Sequence, residues 1–438
     1  MSSGVLVLIA VGVLIALLVL GVPIPFAFSG VTITLILILG YSPDFLIPAS
    51  YNNLNSLVLC CIPLFMLAGS VIREGRIGDA LINFVQQFVG KFKSGLGAVT
   101  VITCGIFGAV CGSAAATLSA VGSIMAPKLE SRGYPKGVIA ALLASSCVLG
   151  LLIPPSAGQI LYAWSSGTSV LACFLSTIVP GIIMMILLSI VQHFQVRNLD
   201  SIRLNEPEKI DMGFKPVMKR TGKALPALMM PVIVLGGIYG GFLTTMEAAA
   251  VATVYCIPIA IMFYKGMKWS DLKATILDAG YNCGAIAMML MSCAILSRIF
   301  TTERVPDMLV DVTMSITENP VIIMLMLNLV LMVLGMLMDD GSAIVLSTPL
   351  LLPIAISIGV DPVHYAAIMG VNLGMGLVTP PCAPMLFLGS QVARAEVSTA
   401  FIPTGKFILF AWLPALMLTT FIPQISLWLP GVIMGYGV

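Results

Sequence analysis

Residues 127–155 read PKLESRGYPKGVIAALLASSCVLGLLIPP, and residues 353–381 read PIAISIGVDPVHYAAIMGVNLGMGLVTPP. At a shift of 226 positions Pro127 falls on Pro353, Gly133 on Gly359, Ala140 and Ala141 on Ala366 and Ala367, Gly150 on Gly376, and Pro154-Pro155 on Pro380-Pro381. With two further residues of shift, Arg76, Asp79 and Leu81 fall on Arg304, Asp307 and Leu309. Glycine frees the backbone and proline fixes it, so agreement at these residues is agreement in chain path. One structural unit occurs twice.

The flanks of the two copies differ in charge. The first copy is bordered by Lys91, Lys93, Lys128 and Arg132, the second by Glu303, Asp307, Asp311, Glu318 and Asp361. Counted along the hydrophobic runs, nineteen of the 21 basic residues fall on one side of a membrane, and only Arg298 and Arg304 fall on the other. Basic loops stay cytoplasmic, so both chain termini are expected outside and the copies face opposite sides. Inverted-topology repeats are the usual architecture of secondary transporters, because mirror-related halves open one site to either side in turn.

Composition places the chain in lipid. Of its 438 residues 59% are hydrophobic and 9% charged, and the mean hydropathy is +1.08. Runs such as Val5 to Gly21, Val31 to Gly40, Ile178 to Val191, Val321 to Met338 and Phe407 to Leu418 are long enough to span or deeply enter a hydrocarbon core about 30 Å thick. Backbone groups there must be satisfied within the chain, and unbroken runs rather than alternating ones exclude a strand barrel. The expected fold class is an all-α integral membrane protein of two inverted repeats, with about ten transmembrane helices and two re-entrant helical hairpins. No basic residue precedes the first run, which therefore reads as a mature helix and not a signal peptide. The ten cysteines lie in apolar stretches without a CxxC pair, so they read as packing residues.

Residues 1–197 form the first repeat, 198–223 a cytoplasmic linker and 224–438 the second repeat. In the first, an amphipathic arm helix at 79–92 precedes a hairpin at 96–130, broken at Gly112-Ser113-Ala114-Ala115-Ala116, and a span at 136–168 interrupted at Ile153-Pro154-Pro155-Ser156. In the second, the arm is 307–316, the hairpin 321–357 with its break at Asp339-Asp340-Gly341-Ser342, and the broken span 362–393 with its break at Val378-Thr379-Pro380-Pro381. Paired prolines remove two amide donors and stop a helix. Such backbone is tolerated at membrane depth only inside protein or against a wet cavity. Two ordinary spans joined by a turn are the alternative reading of each hairpin.

The breaks supply carbonyl and hydroxyl oxygens, from Gly112, Ser113, Thr117, Ser145, Ser146 and Pro154 in one half and Gly341, Ser342, Thr348, Asn372 and Thr379 in the other. Unwound carbonyls and helix C-terminal ends suit sodium, and helix N-termini suit a carboxylate. Asp339 and Asp340 interrupt a long apolar run, which makes them functional candidates; the alternative is that they cap the returning helix. The 27 methionines read as soft packing. The chain has no GxxxxGK[ST] loop for ATP. An aspartyl protease needs carboxylates on facing helices and a serine protease needs a base, and neither arrangement is present. No enzymatic cofactor and no nucleic-acid partner are expected.

The stretch CGSAAATLSAVGSIMAPKLESRGYPKGVIAALLASSCVLGLLIPPSAGQILYAWSSGTSV, Cys111 to Val170, resembles the large membrane subunit of the tripartite ATP-independent periplasmic (TRAP) transporters. IPLFMLAGSVIREG from Ile62, GIYGGFLTTMEAAAVA from Gly237 and LVTPPCAPMLFLGS from Leu377 extend the resemblance over essentially the whole chain. It implies an ion-transporter-type fold with scaffold and transport regions and an elevator mechanism. It also implies sodium-driven import across a bacterial inner membrane of a C4-dicarboxylate or sialic acid, together with a small four-helix (Q-type) membrane subunit and a periplasmic substrate-binding (P-type) protein. The sodium sites it implies lie near Gly112, Ser113, Ser145, Ser146, Gly150, Ile153 and Pro154, and near Asp340, Gly341, Gly376, Val378, Thr379 and Pro380. The substrate region it implies is Ser113, Thr117, Pro155, Ser342, Asn372 and Pro381. A self-sufficient sodium-coupled carrier and a channel remain as alternatives from the residues alone.

Overall fold

The computed structural model describes residues 9–10, 12–14, 16–17, 20–75, 77–89, 95–197 and 214–436, and among these every regular element is helical. Among the described residues seven helices are long and apolar enough to cross a membrane, eight if the bent pair Lys136–Leu152 and Ala157–Ser166 is one span. Their outward faces carry large apolar residues such as Ile186, Val254 and Ile402, as lipid-facing helices must. Of the ten cysteines, seven are buried in the packing.

The two broken spans form the centre. In Lys136–Cys147 every residue after Lys136 is buried, and in Pro362–Val378 every residue after Pro362. A helix apolar on all sides belongs inside. Around this centre each hairpin packs on the broken span of its own repeat. A Cβ on Gly335 of the second hairpin would lie 3.2 Å from the Cα of Gly376, and Gly108 meets Gly150 in the same way. Each broken span also reaches into the other repeat. Gly158 lies under Ile344 of the second hairpin, and Gly389 lies against the carbonyl oxygen of Ala140. The repeat is visible in backbone angles 226 residues apart: Ile153 has φ −93° and ψ 116°, Thr379 φ −87° and ψ 122°.

A second group of helices stands beside this centre: Ile24–Leu39, Cys61–Glu74, Thr245–Pro258 and Trp269–Thr302. Hydrogen bonds between helices hold it together, Ser29 Oγ to Ser292 Oγ at 2.7 Å and Thr253 Oγ1 donating to the Leu64 carbonyl at 2.8 Å. Small hydroxyl residues allow such close approach in lipid.

Several boundaries differ from the sequence expectation. The first hairpin break is only Gly112-Ser113, because Ser113 caps the returning helix by accepting from the Ala116 amide at 3.5 Å. The second is shorter too, since Asp339 accepts from the Ser342 amide at 3.2 Å and the helix resumes at Asp340. The first arm helix is Gly78–Val89; Lys91 and Phe92 lie outside the described residues. The stretch read as linker ends in helix, Phe214–Tyr239, whose first turns carry Lys215, Lys219, Arg220 and Lys223; residues 198–213 lie outside the described residues.

Candidate functional site: the hairpin tips and the first break

Gly112 takes φ +63°, a left-handed conformation natural to glycine. Its Cβ position is occupied, since the Pro155 carbonyl oxygen would be 2.5 Å away. The Ala157 amide donates to the Gly112 carbonyl at 3.5 Å. The tip of the first hairpin is therefore seated against the proline break of the neighbouring span, at the middle of that span's length. Thr117 Oγ1 donates to the Ser113 carbonyl at 2.8 Å, and both lie about Gly150, whose Cβ would be 3.0 Å from Thr117 Oγ1 and 3.3 Å from the Ser113 carbonyl oxygen. Gly112, Ser113, Thr117, Gly150 and Pro155 thus form one cluster, and Pro154 and Pro155 are buried within it.

The second hairpin comes to the same place. Asp340 Oδ2 lies 3.6 Å from the Cβ position of Gly158, beside Ser156 Oγ at 3.7 Å. The Ser342 hydroxyl donates to Asp339, and Gly341 lies against Leu161 of the first broken span and Met289. A cavity of about 590 Å³ opens at this meeting point. Its lining includes Gly112, Ser113 and Ala157 with Asp339, Arg73 and Asn282.

Other expected site residues are placed differently. Ser145 and Ser146 lie just before Gly150, fully buried, with hydroxyls that have no hydrogen-bond partner. Ile153 directs its side chain to Gly105 and Gly181. Asn372, 226 residues after Ser146, donates to the carbonyl and side-chain oxygens of Asn328, both at 2.9 Å, while its own Oδ1 has no partner. Gly376 is packed on Gly335, Val378 is buried, and Thr379 Oγ1 donates to the Met375 carbonyl at 2.6 Å. Pro380 is half-buried and Pro381 exposed. None of this second group lines the cavity, so the two breaks are not equivalent in use: the first gathers both hairpin tips, the second does not. Both proline pairs are joined by cis peptide bonds.

Sequence reasoning singled out Asp339, Asp340 and Ser342 at the second tip; Arg73 and Asn282 at the cavity were not selected as site residues. Arg73 donates to Asp278 Oδ2 at 3.1 Å across two helices of the second group, a pairing between residues 205 apart that no local pattern signals.

A family model described as the tripartite ATP-independent periplasmic transporter, DctM component, matches residues 11–425. The chain belongs to this family. As a TRAP large permease it is similar to several curated members. The C4-dicarboxylate TRAP transporter large permease protein DctM of Vibrio cholerae is 34% identical over 86% of this chain and 86% of that protein. The isethionate TRAP transporter permease protein DctMQ of Oleidesulfovibrio alaskensis is 33% identical over 89% of this chain and 60% of that longer protein. The sialic acid TRAP transporter large permease protein SiaM of Vibrio cholerae is 28% identical over 90% of this chain and 91% of that protein. Among solved structures, the Alcanivorax borkumensis YdaH transporter superposes with a TM-score of 0.62 at 13% identity, covering 91% of this chain and 90% of that one, which is a likeness of fold.

Proposed function

We propose that this TRAP permease imports a small organic acid across a bacterial inner membrane by sodium symport, receiving it from a periplasmic binding protein and working beside a small four-helix membrane subunit. The observation that carries the reading is the cavity where the Gly112-Ser113 tip and Asp339 of the second tip meet at the Ala157 end of the first break. Matched tips at one break give a site that a moving body can present to either side.

In this reading the hairpins and broken spans travel as an elevator along the scaffold of Ile24–Leu39, Cys61–Glu74, Thr245–Pro258 and Trp269–Thr302. Sodium is held as cargo by oxygens about Gly112, Ser113, Ser145, Ser146, Gly150, Ile153 and Pro154, and about Asp340, Gly341, Gly376, Val378, Thr379 and Pro380. Support comes from the unpartnered hydroxyls of Ser145 and Ser146, because a buried polar oxygen without a partner is costly unless a ligand satisfies it. Substrate contacts fall to Ser113, Thr117, Pro155, Ser342, Asn372 and Pro381. The names of the relatives, C4-dicarboxylate, isethionate and sialic acid, all denote organic anions, which supports an acid as cargo.

The test is uptake into proteoliposomes containing the assembled transporter. Accumulation is expected only with an external binding protein and an inward sodium gradient. Accumulation by this chain alone would establish a self-sufficient carrier instead, and flux that never saturates would establish a channel.

A further inference from the structure

The helix Phe214–Tyr239 changes character at one residue. From Ala224 to its end it carries no charge, whereas its first turns hold Lys215, Lys219, Arg220 and Lys223 and no carboxylate. Lys215, Lys219 and Lys223 stand four residues apart and are all exposed, so they form one stripe on the helix surface. A helix N-terminus carries partial positive charge, and like charges four residues apart repel. The helix therefore opposes its own lysines. Among the described residues none of the three is paired with a carboxylate.

The stripe adjoins apolar surface. Met218, Leu225, Met229 and Val232 are exposed, and at about 3.6 residues per turn they fall on the strip next to the lysines. Between the two strips stands Gly222, exposed and with open space where a Cβ would be, so the surface is notched where charge gives way to apolar residues. Other helices hold this end in place. The Tyr264 hydroxyl donates to the Lys223 carbonyl at 2.6 Å, and Gln87 Nε2 donates to Thr221 Oγ1 at 3.2 Å. Neither bond uses a lysine ammonium group.

Cations beside a lipid-facing apolar strip fit a partner that is anionic at one end and apolar at the other. A phospholipid with its acyl chains along Leu225, Met229 and Val232 brings its phosphate to the level of Gly222, within reach of the flexible lysine stems. A soluble anion would meet the charges and leave the apolar strip uncovered. We propose that Lys215, Lys219 and Lys223 form a binding site for the headgroup of an anionic phospholipid. The site is separate from the cavity at the hairpin tips and is tested without transport.

The assembled transporter, in an uncharged detergent, is offered equimolar dioleoylphosphatidylglycerol and dioleoylphosphatidylcholine, and native mass spectrometry counts the lipids retained. Phosphatidylglycerol is expected to exceed phosphatidylcholine by about tenfold or more, since each basic residue near a membrane surface contributes roughly fivefold in affinity for anionic lipid. Lys215→Gln, Lys219→Gln and Lys223→Gln together are expected to lower the ratio about tenfold. Lys265→Gln, Lys273→Gln and Lys406→Gln, at three exposed positions elsewhere, remove the same charge and are expected to leave the ratio within about twofold. Equal losses in the two triple variants would show diffuse attraction to net charge and overturn the site. An unchanged ratio in the first triple variant would overturn it as well; that result is expected if Glu206, Glu208 and Asp211, which lie outside the described residues, neutralise these lysines. Lys219→Gln alone, expected to lower the ratio several-fold, serves should the triple variant fail to assemble. Glycerol phosphate in large excess is expected to leave the bound lipid in place. Displacement by it would make this a site for a soluble phosphate and overturn the lipid assignment.

Discussion

A Cβ atom on Gly108 would lie 2.3 Å from the Cα of Gly150, so the first hairpin and the first broken span touch backbone to backbone. The second repeat makes the same contact, with a Cβ on Gly376 falling 2.7 Å from the Cα of Gly335. No side chain fits at either place, and the site next to Gly150 depends on that approach.

Gly108→Ala and Gly376→Ala are therefore expected to destabilise the protein by about 1–3 kcal/mol each, the usual cost of overpacking a filled core. Gly280→Ala, in a helix with open space at its Cβ position, is the control and is expected to be neutral or stabilising, as alanine favours helix over glycine. Thermal unfolding in detergent measures all three. Equal midpoints for Gly108→Ala and the wild type would show that the contact yields without strain.

The two aspartates at the second tip should separate structure from transport. Asp339 holds the Ser342 amide at 3.2 Å and so caps the returning helix; Asp339→Ala is expected to cost about 1 kcal/mol of stability. Asp340 points instead toward Gly158 and Ser156 of the first break. Asp340→Asn is expected to keep the unfolding midpoint and to raise the sodium concentration for half-maximal uptake several-fold. Unaltered sodium dependence would exclude Asp340 as a ligand.

Tyr41 donates to Glu303 Oε1 and ties the end of Ile24–Leu39 to the end of Trp269–Thr302. Burial first, and then the hydrogen bond and charge of Glu303, push its hydroxyl up to about 12. The proton therefore stays on Tyr41 through the physiological range and the bond persists. Tyr41→Phe is expected to lower stability by about 1–2 kcal/mol, as for a hydrogen bond to a charged group, with no change in the KM for the transported acid. A changed KM would mean that these helices move against each other during transport.

Ser145 and Ser146 give a fourth test. If their buried hydroxyls serve a cation, Ser145→Ala and Ser146→Ala remove ligands without leaving an unpaired partner, so stability is held or slightly raised. Sodium affinity is expected to fall several-fold for at least one of them, read from sodium-dependent protection against thermal unfolding. Equal protection in both variants would move the sodium site away from this turn.

Much of the site could be read along the chain. The glycines and prolines that repeat after 226 residues mark the broken spans, and the small residues at Gly112-Ser113 mark the first tip, because backbone breaks leave a local signature. Gly108 and Gly335 escaped the comparison since they are 227 apart, one residue off the main shift. The two breaks read alike, yet only the first meets both tips. That difference arises from how the second hairpin lies over Ala157–Ser166, a contact between repeats that no residue near Pro380 encodes.

What the sequence alone determined is an all-helical membrane protein, made of one unit used twice in opposite orientation and interrupted at matched points, because hydropathy, charge sidedness and glycine and proline positions act locally. Which interruption receives the hairpin tips, and which arginine lines the cavity there, was decided only by tertiary structure. Those outcomes depend on the rotation and tilt of helices packed across the repeats, set by contacts such as Gly158 with Ile344 and Gly389 with Ala140 between residues far apart in the chain.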